Sequence, residues 1–197
     1  MKIKICGLRR AEDIEACNAA RPDYVGFVFA KQSRRYVAPQ DALLLRKRLA
    51  AGILPVGVFV DAEIDFIERL YDNGVIKLAQ LHGDESEAYI ARLQAVCPVP
   101  VIKALRPALF TEYALQPSAA DYLLLDSGAG SGQPFDWSDI PAFRQPWFLA
   151  GGVSQGNLAD AIAQNPYAID VSSGAETNGW KDLIKIAELV RTVRRRR

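Results

Sequence analysis

The sequence is poor in the residues that form disulfide bridges and metal centres. It has three cysteines and one histidine among 197 residues. Cys6, Cys17 and Cys97 are widely separated and odd in number, which fits neither a disulfide framework nor zinc-finger spacing. Because His82 is the single histidine, a metal cluster built from several histidines is excluded. We therefore expect reduced thiols and no bound metal.

The sequence also lacks an excess of charge of one sign and any long apolar run. Lysine and arginine total 24 and aspartate and glutamate total 23, so no overall field favours nucleic acid or an anionic membrane. Every apolar run is shorter than the roughly 20 residues that span a bilayer, and the first residues have no apolar region of signal-peptide length. We expect a soluble, cytoplasmic monomer without nucleic-acid or membrane partners.

A regular alternation of short apolar and longer amphipathic segments runs through the whole chain. Apolar residues make up 50% of it, enough for a substantial core, but the chain is too short for two average domains. We therefore expect a single domain over residues 1–197. The apolar segments are rich in Val, Ile, Leu and Phe, as β-strands are. The predicted strands cover residues 2–7, 24–30, 54–60, 77–83, 99–105, 121–126, 146–152 and 168–174.

Predicted helices occupy the intervals between these strands. Several begin with a residue typical of helix starts, such as Pro39, Asp61 or Ser86. The glycine-rich segment after the sixth strand predicts a loop with a short helix or none. Eight such units, each crossing over right-handedly, predict an α/β fold, a single (β/α)8 TIM barrel of minimal length. The alternative is an open doubly wound sheet, which at this length normally has five or six strands.

The chemistry of such a barrel is expected where its strands end, because the loops that follow them converge there. Cys6 ends the first strand and Asp126 the sixth, and glycines in both following loops would let a substrate approach. Alternation places Lys4 on the same face as Cys6, where a cation would increase the thiolate fraction. Each residue also has a plainer interpretation, a small buried hydrophobe for Cys6 and a loop cap for Asp126. Cys17 and Cys97 are interpreted as structural.

Other polar or glycine-bearing strand ends are further candidates. Two glycine loops, 150–157 and 172–179, offer backbone N–H groups for a phosphate, although tight turns would explain each glycine singly. Arg34 and Arg35 follow the second strand, where a guanidinium can hold a carboxylate. His82 is interpreted as a strand-end hydrogen-bonding group, and Asp170 lies on the eighth strand.

In motif order and spacing, the chain resembles the phosphoribosylanthranilate isomerase family over essentially its whole length. The motifs are KICGL at strand one, SRRYV after strand two, VGVFV at strand three, QLHGDE at strand four, DWSDI after strand six, LAGGV at strand seven and DVSSGAE at strand eight. The resemblance implies an Amadori rearrangement of N-(5-phosphoribosyl)anthranilate in tryptophan biosynthesis, without metal or organic cofactor. Members of the family commonly have prolines where this chain has Gln155 and Asn178. Trp180 is also unusual for the family, and we expect it to pack at the phosphate end of the site or on the last helix.

The resemblance also implies a role for each candidate residue. Asp126 would be the general acid that protonates the furanose ring oxygen, and Cys6 the general base that takes the proton from sugar C2. Arg35 would hold the anthranilate carboxylate and Asp170 the sugar hydroxyls. Backbone amides would bind the phosphate, and they belong to Gly152, Ser173 and Gly174.

Two alternatives stay open at this point. One is a histidine-pathway aldose–ketose isomerase, which resembles a two-fold repeat with aspartates ending strands one and five. Here Cys6 ends strand one, and strand five ends at Ala104 and Leu105. The other is a non-catalytic barrel that binds a sugar phosphate as a sensor.

Overall fold

The computed structural model of the chain describes residues 1–126 and 136–195, and its central feature is a closed barrel of eight parallel strands. Each strand pairs with its sequence neighbours, and β1 pairs with β8 to close the barrel. This confirms the predicted fold and excludes the open doubly wound sheet. The strands are β1 (Lys2–Cys6), β2 (Tyr24–Val28), β3 (Leu54–Phe59), β4 (Leu78–Leu81), β5 (Val101–Leu105), β6 (Tyr122–Leu125), β7 (Trp147–Leu149) and β8 (Ala168–Val171).

Helices connect these strands. They are α1 (Ala11–Ala20), α2 (Pro39–Arg48), α3 (Ile64–Asp72), α4 (Glu87–Val96), α5 (Phe110–Leu115), α6 (Leu158–Ala163) and α7 (Leu183–Arg194). Between β6 and β7 the described residues form only one 3₁₀ turn, Trp137–Asp139, as expected for a short or absent helix. A small antiparallel hairpin, β9 (Glu176–Thr177) with β10 (Trp180–Lys181), follows β8.

Alternation of inward and outward side chains explains why these segments form a barrel. In β1, Ile3 and Ile5 are fully buried in the core between strands and helices, while Lys4 and Cys6 point inward. The lower part of the barrel is filled by apolar side chains, so it is a packed core rather than a channel. The buried residues of this inner core are Tyr24, Val56, Leu78, Ile102, Leu124, Phe148, Ala150 and Ala168.

Two of the three proposed helix starts are confirmed. Pro39 is the first residue of α2, and the Ser86 hydroxyl accepts a hydrogen bond from the Tyr89 amide at the start of α4. The prediction of a helix start at Asp61 is wrong, because α3 begins at Ile64 and Asp61 lies before it in a left-handed backbone conformation with a φ of 47°. Its carboxylate accepts a hydrogen bond from the Asp84 amide instead, joining the loops after β3 and β4.

Seven of the eight predicted strands run past the observed ones at their C-terminal ends, β5 being the exception. The overrun is one residue at β1 and three residues at β7 and β8, because the chain turns away there to form the loops of the barrel mouth. The turns at β1 and β7 use left-handed backbone at Gly7 (φ 87°), Gly151 (φ 77°) and Gly152 (φ 74°), a conformation that glycine adopts readily. Among the described residues, no helix is long and apolar enough to cross a membrane.

Candidate active site

The barrel mouth holds a cavity of about 730 Å³ at the C-terminal ends of the strands. Six of the seven residues that the sequence singled out lie on its wall, contributed by five different strand ends or loops. The seventh, Gly174, is not on the wall but lies against the backbone of Val153 and Ser154. The six are Cys6, Arg35, Asp126, Gly152, Asp170 and Ser173.

Cys6 lies at the bottom of this cavity, 8% exposed, in a small cluster with Val28, Ala30 and Val58. Its neighbour on β2 is Gly26, with which it pairs in register. A Cβ atom placed on Gly26 would lie 2.6 Å from the Cys6 sulfur, so the glycine makes room for the thiol. The thiol thus occupies space that a side chain at position 26 would fill, and Cys6 lines the cavity.

A buried ion pair lies directly beneath the thiol. Lys4 is completely buried and its ammonium donates to Asp170 Oδ2 at 2.8 Å, an interaction between adjacent strands β1 and β8. The second carboxylate oxygen, Asp170 Oδ1, is buried and has no hydrogen-bond partner among the described residues. Because Asp170 also lines the cavity, this oxygen is a potential acceptor for a hydroxyl group of a ligand.

The two members of the ion pair shift the pKa of the thiol in opposite directions, and burial adds to the effect of Asp170. Burial raises the pKa of Cys6, Lys4 lowers it by its charge, and Asp170 adds to the rise, so that the net pKa lies above the usual value. Lys4 thus acts in the expected direction, but burial outweighs it. The pKa of Lys4 itself stays raised although burial lowers it, because Asp170 and Cys6 both favour the charged ammonium.

Asp126 faces the cavity from β6, beside His82 from the end of β4. The distance from His82 Nε2 to Asp126 Oδ2 is 3.5 Å. His82 Nδ1 lies 2.9 Å from the side-chain nitrogen of Gln80, and with the Gln80 amide in this orientation a neutral ring accepts at Nδ1 and carries its proton on Nε2, toward Asp126. His82 is thus the hydrogen-bonding group expected at this strand end, and it additionally contacts the candidate acid.

Arg35 reaches into the cavity from the loop after β2 and is held by Glu176 on β9. Arg35 Nε donates to Glu176 Oε1 at 2.6 Å and Nη2 donates to Oε2 at 3.0 Å. Lys181 Nζ donates to the same Oε1 at 2.8 Å. Burial alone would raise the pKa of Glu176, but hydrogen bonds from Arg35 and Lys181 lower it to about 2. Arg34, next in the chain, is mostly exposed and contacts Glu176 only at 3.4 Å.

Glu176 and Lys181 do not line the cavity but hold Arg35 there, and the sequence analysis did not select them. Glu176 ends the motif DVSSGAE, and Lys181 follows Trp180 in the hairpin. Their signal was weak, because both lie after the strand end in a segment that reads as an ordinary polar loop.

The two glycine loops after β7 and β8 touch each other through backbone atoms. A Cβ atom on Gly174 would overlap the Val153 carbonyl oxygen and lie 2.8 Å from Ser154 Cα. Asn157 holds the first loop, because its side chain accepts from the Ser154 amide at 2.8 Å and donates to the Gly152 carbonyl at 3.0 Å. The loops therefore form one backbone-lined end of the cavity.

Trp180 packs against two arginines of the loop after β1. The guanidinium carbons of Arg9 and Arg10 lie over its ring, at 4.0 and 4.2 Å from the centroid. Arg9 also donates to the carbonyls of Gly179 and Arg34. Trp180 thus joins the β9–β10 hairpin to the loop after β1, next to the loop that bears Arg35.

Comparisons with known proteins identify the family to which the chain is similar. The family model described as N-(5'-phosphoribosyl)anthranilate (PRA) isomerase matches residues 3–192. An N-(5'-phosphoribosyl)anthranilate isomerase from Endomicrobium trichonymphae is 46% identical over 199 residues, covering 98% of each chain. A phosphoribosyl anthranilate isomerase from Thermus thermophilus, a solved structure, has a TM-score of 0.89 at 33% identity and full coverage of both chains.

A further solved structure adds a ligand to the comparison. It shows a phosphoribosyl anthranilate isomerase in complex with reduced 1-(o-carboxyphenylamino)-1-deoxyribulose 5-phosphate, at 32% identity, a TM-score of 0.83 and 98% coverage of each chain. The family that the motifs predicted is thereby confirmed, and the histidine-pathway alternative is set aside. This chain belongs to the N-(5'-phosphoribosyl)anthranilate isomerase family.

Proposed function

We propose that this isomerase converts N-(5-phosphoribosyl)anthranilate to 1-(2-carboxyphenylamino)-1-deoxyribulose 5-phosphate in tryptophan biosynthesis, with Asp126 as general acid and Cys6 as general base. The observation that carries the proposal is that both side chains line one cavity, together with a guanidinium and two backbone loops. A volume of about 730 Å³ lies within the range of small-molecule sites. The solved relative with its bound reduced product supports the same substrate class.

The first chemical step opens the sugar ring. Asp126 gives its proton to the furanose ring oxygen while the lone pair of the anilino nitrogen forms a double bond to C1, which breaks the C1–O bond. The product is an open-chain Schiff base that carries a positive charge on nitrogen. Asp126 is then a carboxylate, and His82 Nε2 lies 3.5 Å from its Oδ2 atom.

The second step moves a proton away from carbon. The Cys6 thiolate takes the proton from C2, the C2–H electron pair forms a C1–C2 double bond, and nitrogen recovers its lone pair. The resulting enolamine tautomerises to the ketone when C1 gains a proton and the C2 hydroxyl loses one. Atoms and charge balance without an external oxidant, because C1 is reduced and C2 is oxidised within the same molecule.

These steps require a protonated Asp126 and an ionised Cys6 in the same molecule, a pair that holds one proton in total. Burial raises the pKa of Cys6 above its usual value, so the thiol is favoured over the thiolate. The reactive arrangement is then a minor form of the singly protonated pair. Lys4, which favours the thiolate, increases the population of that form.

The remaining parts of the substrate fit the remaining groups of the cavity wall. Arg35 would bind the anthranilate carboxylate. Asp170 Oδ1, which has no hydrogen-bond partner among the described residues, would accept a hydrogen bond from a sugar hydroxyl. The phosphate would bind to backbone amides of the two glycine loops, those of Gly152, Ser173 and Gly174. The negative groups at the two ends of the substrate would thereby hold its reacting carbons between Asp126 and Cys6.

The test is a turnover assay with matched variants. Phosphoribosylanthranilate is generated in situ and the loss of its fluorescence is followed for the wild type, Cys6→Ala and Asp126→Asn. Each variant removes a proton-transfer group and should lose at least about 100-fold in kcat while still binding product. Cys17→Ala is the matched control, because Cys17 is buried outside the cavity.

Three outcomes separate the hypotheses. Loss of turnover in both site variants but not in the control supports the mechanism. Two fully active variants would refute the assigned roles. An inactive wild type that binds product would favour the sugar-phosphate sensor.

We further propose that residues 1–197 act as one catalytic domain, in the cytoplasm, on a small-molecule substrate, without nucleic-acid or membrane partners, and as a monomer. The near balance of 24 basic and 23 acidic residues supports a surface without a dominant charge. Light scattering tests the last point, since a monomer has a mass of 21.7 kDa. A mass of twice that value over a wide concentration range would contradict it.

A further inference from the structure

Glu176 contacts the arginine that the proposed function assigns to the substrate carboxylate. It lies 141 positions after Arg35 in the chain, and its side chain is only 6% exposed. Both of its oxygens accept hydrogen bonds from the guanidinium, at 2.6 and 3.0 Å. A buried carboxylate at this distance controls where the guanidinium points.

The contact uses only one edge of the guanidinium. Glu176 takes Nε and one hydrogen of Nη2, so the two hydrogens of Nη1 and the second hydrogen of Nη2 remain on the other edge. The Arg35 stem is held as well, because it crosses Gly7 so closely that a Cβ there would overlap Arg35 Cδ. A second carboxylate can therefore bind end-on to an arginine that is already oriented.

Glu176 is itself fixed from the opposite side. Lys181 Nζ donates to Glu176 Oε1 at 2.8 Å and to the Ser172 carbonyl at 2.9 Å, and Lys185 Nζ donates to the Glu176 carbonyl at 2.7 Å. The hairpin that bears Glu176 is tied to the loop after β1 by Arg9 and Trp180. Glu176 is thus a rigid support rather than a surface group that happens to meet Arg35.

The charges explain why such a support would favour substrate binding. Arg35, Lys181 and the more exposed Arg34 contribute three positive charges and Glu176 one negative charge, so the cluster retains a net positive charge for an incoming carboxylate. Without Glu176, the cations would repel one another and Arg35 would lose the partner that orients it. The side chain would then have to be ordered during binding, at the expense of affinity.

We propose that Glu176 is a positioning residue that sets the preference of this enzyme for a substrate with a carboxylate. It acts through Arg35, by holding the Nε edge so that the opposite edge faces the carboxylate. The inference rests on the proposed role of Arg35 in substrate binding. It differs from a purely structural role in one respect, since it concerns only ligands that bear the carboxylate.

The test compares two ligands that differ only in that group. They are the reduced product analogue with the 2-carboxyphenyl ring and the same compound with a plain phenyl ring, and calorimetry measures both dissociation constants. Glu176→Gln should weaken binding of the carboxylated analogue about 10- to 100-fold and change binding of the phenyl analogue less than about 3-fold. Glu176→Asp, which retains the charge, should recover part of the difference.

Controls make the result specific to Arg35. Glu112→Gln removes an exposed glutamate of α5 and should change neither constant. In an Arg35→Ala background, Glu176→Gln should have no further effect on the carboxylate preference, because the residue through which it acts is gone. In turnover assays the loss in Glu176→Gln should appear mainly in KM.

The outcomes are separable from those for the proposed function. If Glu176→Gln weakens binding of both analogues equally, the role of Glu176 is merely structural and the inference is overturned. If Glu176→Gln binds the carboxylated analogue more tightly, Glu176 competes with the substrate for Arg35, and the inference is again overturned. A wild type that prefers the carboxylated analogue but does not isomerise phosphoribosylanthranilate would refute the catalytic function while supporting the role of Glu176. A wild type without that preference would overturn the inference itself.

Discussion

Replacing Lys4 with methionine removes a fully buried cation and leaves its partner in place. Methionine retains most of the apolar stem, so the main effect is that the Asp170 carboxylate, 7% exposed, loses the ammonium 2.8 Å away. Removing one member of a buried ion pair typically costs about 3–5 kcal/mol, because the remaining charge is left in a medium of low polarity. We expect Lys4→Met to lower the free energy of unfolding by that amount.

Urea unfolding followed by circular dichroism measures this loss. With a slope of about 2–3 kcal/mol per molar urea, the midpoint should fall by about 1–2 M. The double variant Lys4→Met/Asp170→Asn is the control, because it removes both charges, and it should be more stable than Lys4→Met alone. A loss below about 1 kcal/mol, or a double variant that costs the sum of the single changes, would refute the assignment of a strong buried pair.

The same substitution tests the influence of Lys4 on the thiol. Burial raises the pKa of Cys6 and Lys4 opposes it, so Lys4→Met should raise the pKa further. A higher thiol pKa lowers the population of the form with ionised Cys6 and protonated Asp126, and each further unit reduces the plateau rate about tenfold. The basic limb of the pH–rate profile should also move to higher pH, and an unchanged profile would contradict this account.

Two further predictions concern the loops of the site. Gly174→Ala places a Cβ atom against the Val153 carbonyl and should disturb both glycine loops, which raises KM at least about 10-fold. Gly156→Ala is the control, because the nearest neighbour of its Cβ atom would be 3.8 Å away, and it should leave KM nearly unchanged. The pKa of Glu176 is lowered from its usual value of 4.5 to about 2. The ionised side chain should therefore stabilise the fold fully at pH values above 4.5, and this contribution should be lost as the pH falls toward 2. After allowance for solvent screening, this contribution to the free energy of unfolding is roughly 1–2 kcal/mol. The unfolding curves of the wild type and Glu176→Gln should therefore differ at pH 6 and converge near pH 2. A difference that persists at pH 2 would contradict this prediction.

Local sequence pattern was sufficient to predict the barrel and much of the site. Strand alternation alone places Lys4 and Cys6 inward and Ile3 and Ile5 outward, because successive side chains of a strand point to opposite faces. The strand ends identify the cavity wall, since parallel strands bring their C-terminal ends to one face of the barrel. Cys6 and Asp126 could therefore be placed together although they are far apart in the chain.

Only the tertiary structure decided how these groups affect one another. Glu176 and Arg35 are 141 positions apart, and no local pattern indicates that their loops meet. The pKa of the Cys6 thiol is limited in the same way as a prediction from sequence. The sequence places Lys4 beside Cys6, and this cation does favour the thiolate, but burial, which depends on the whole fold, raises the pKa by more than Lys4 lowers it. Periodicity reports which face a side chain occupies, whereas pKa values and ion pairs depend on everything that surrounds that side chain in three dimensions.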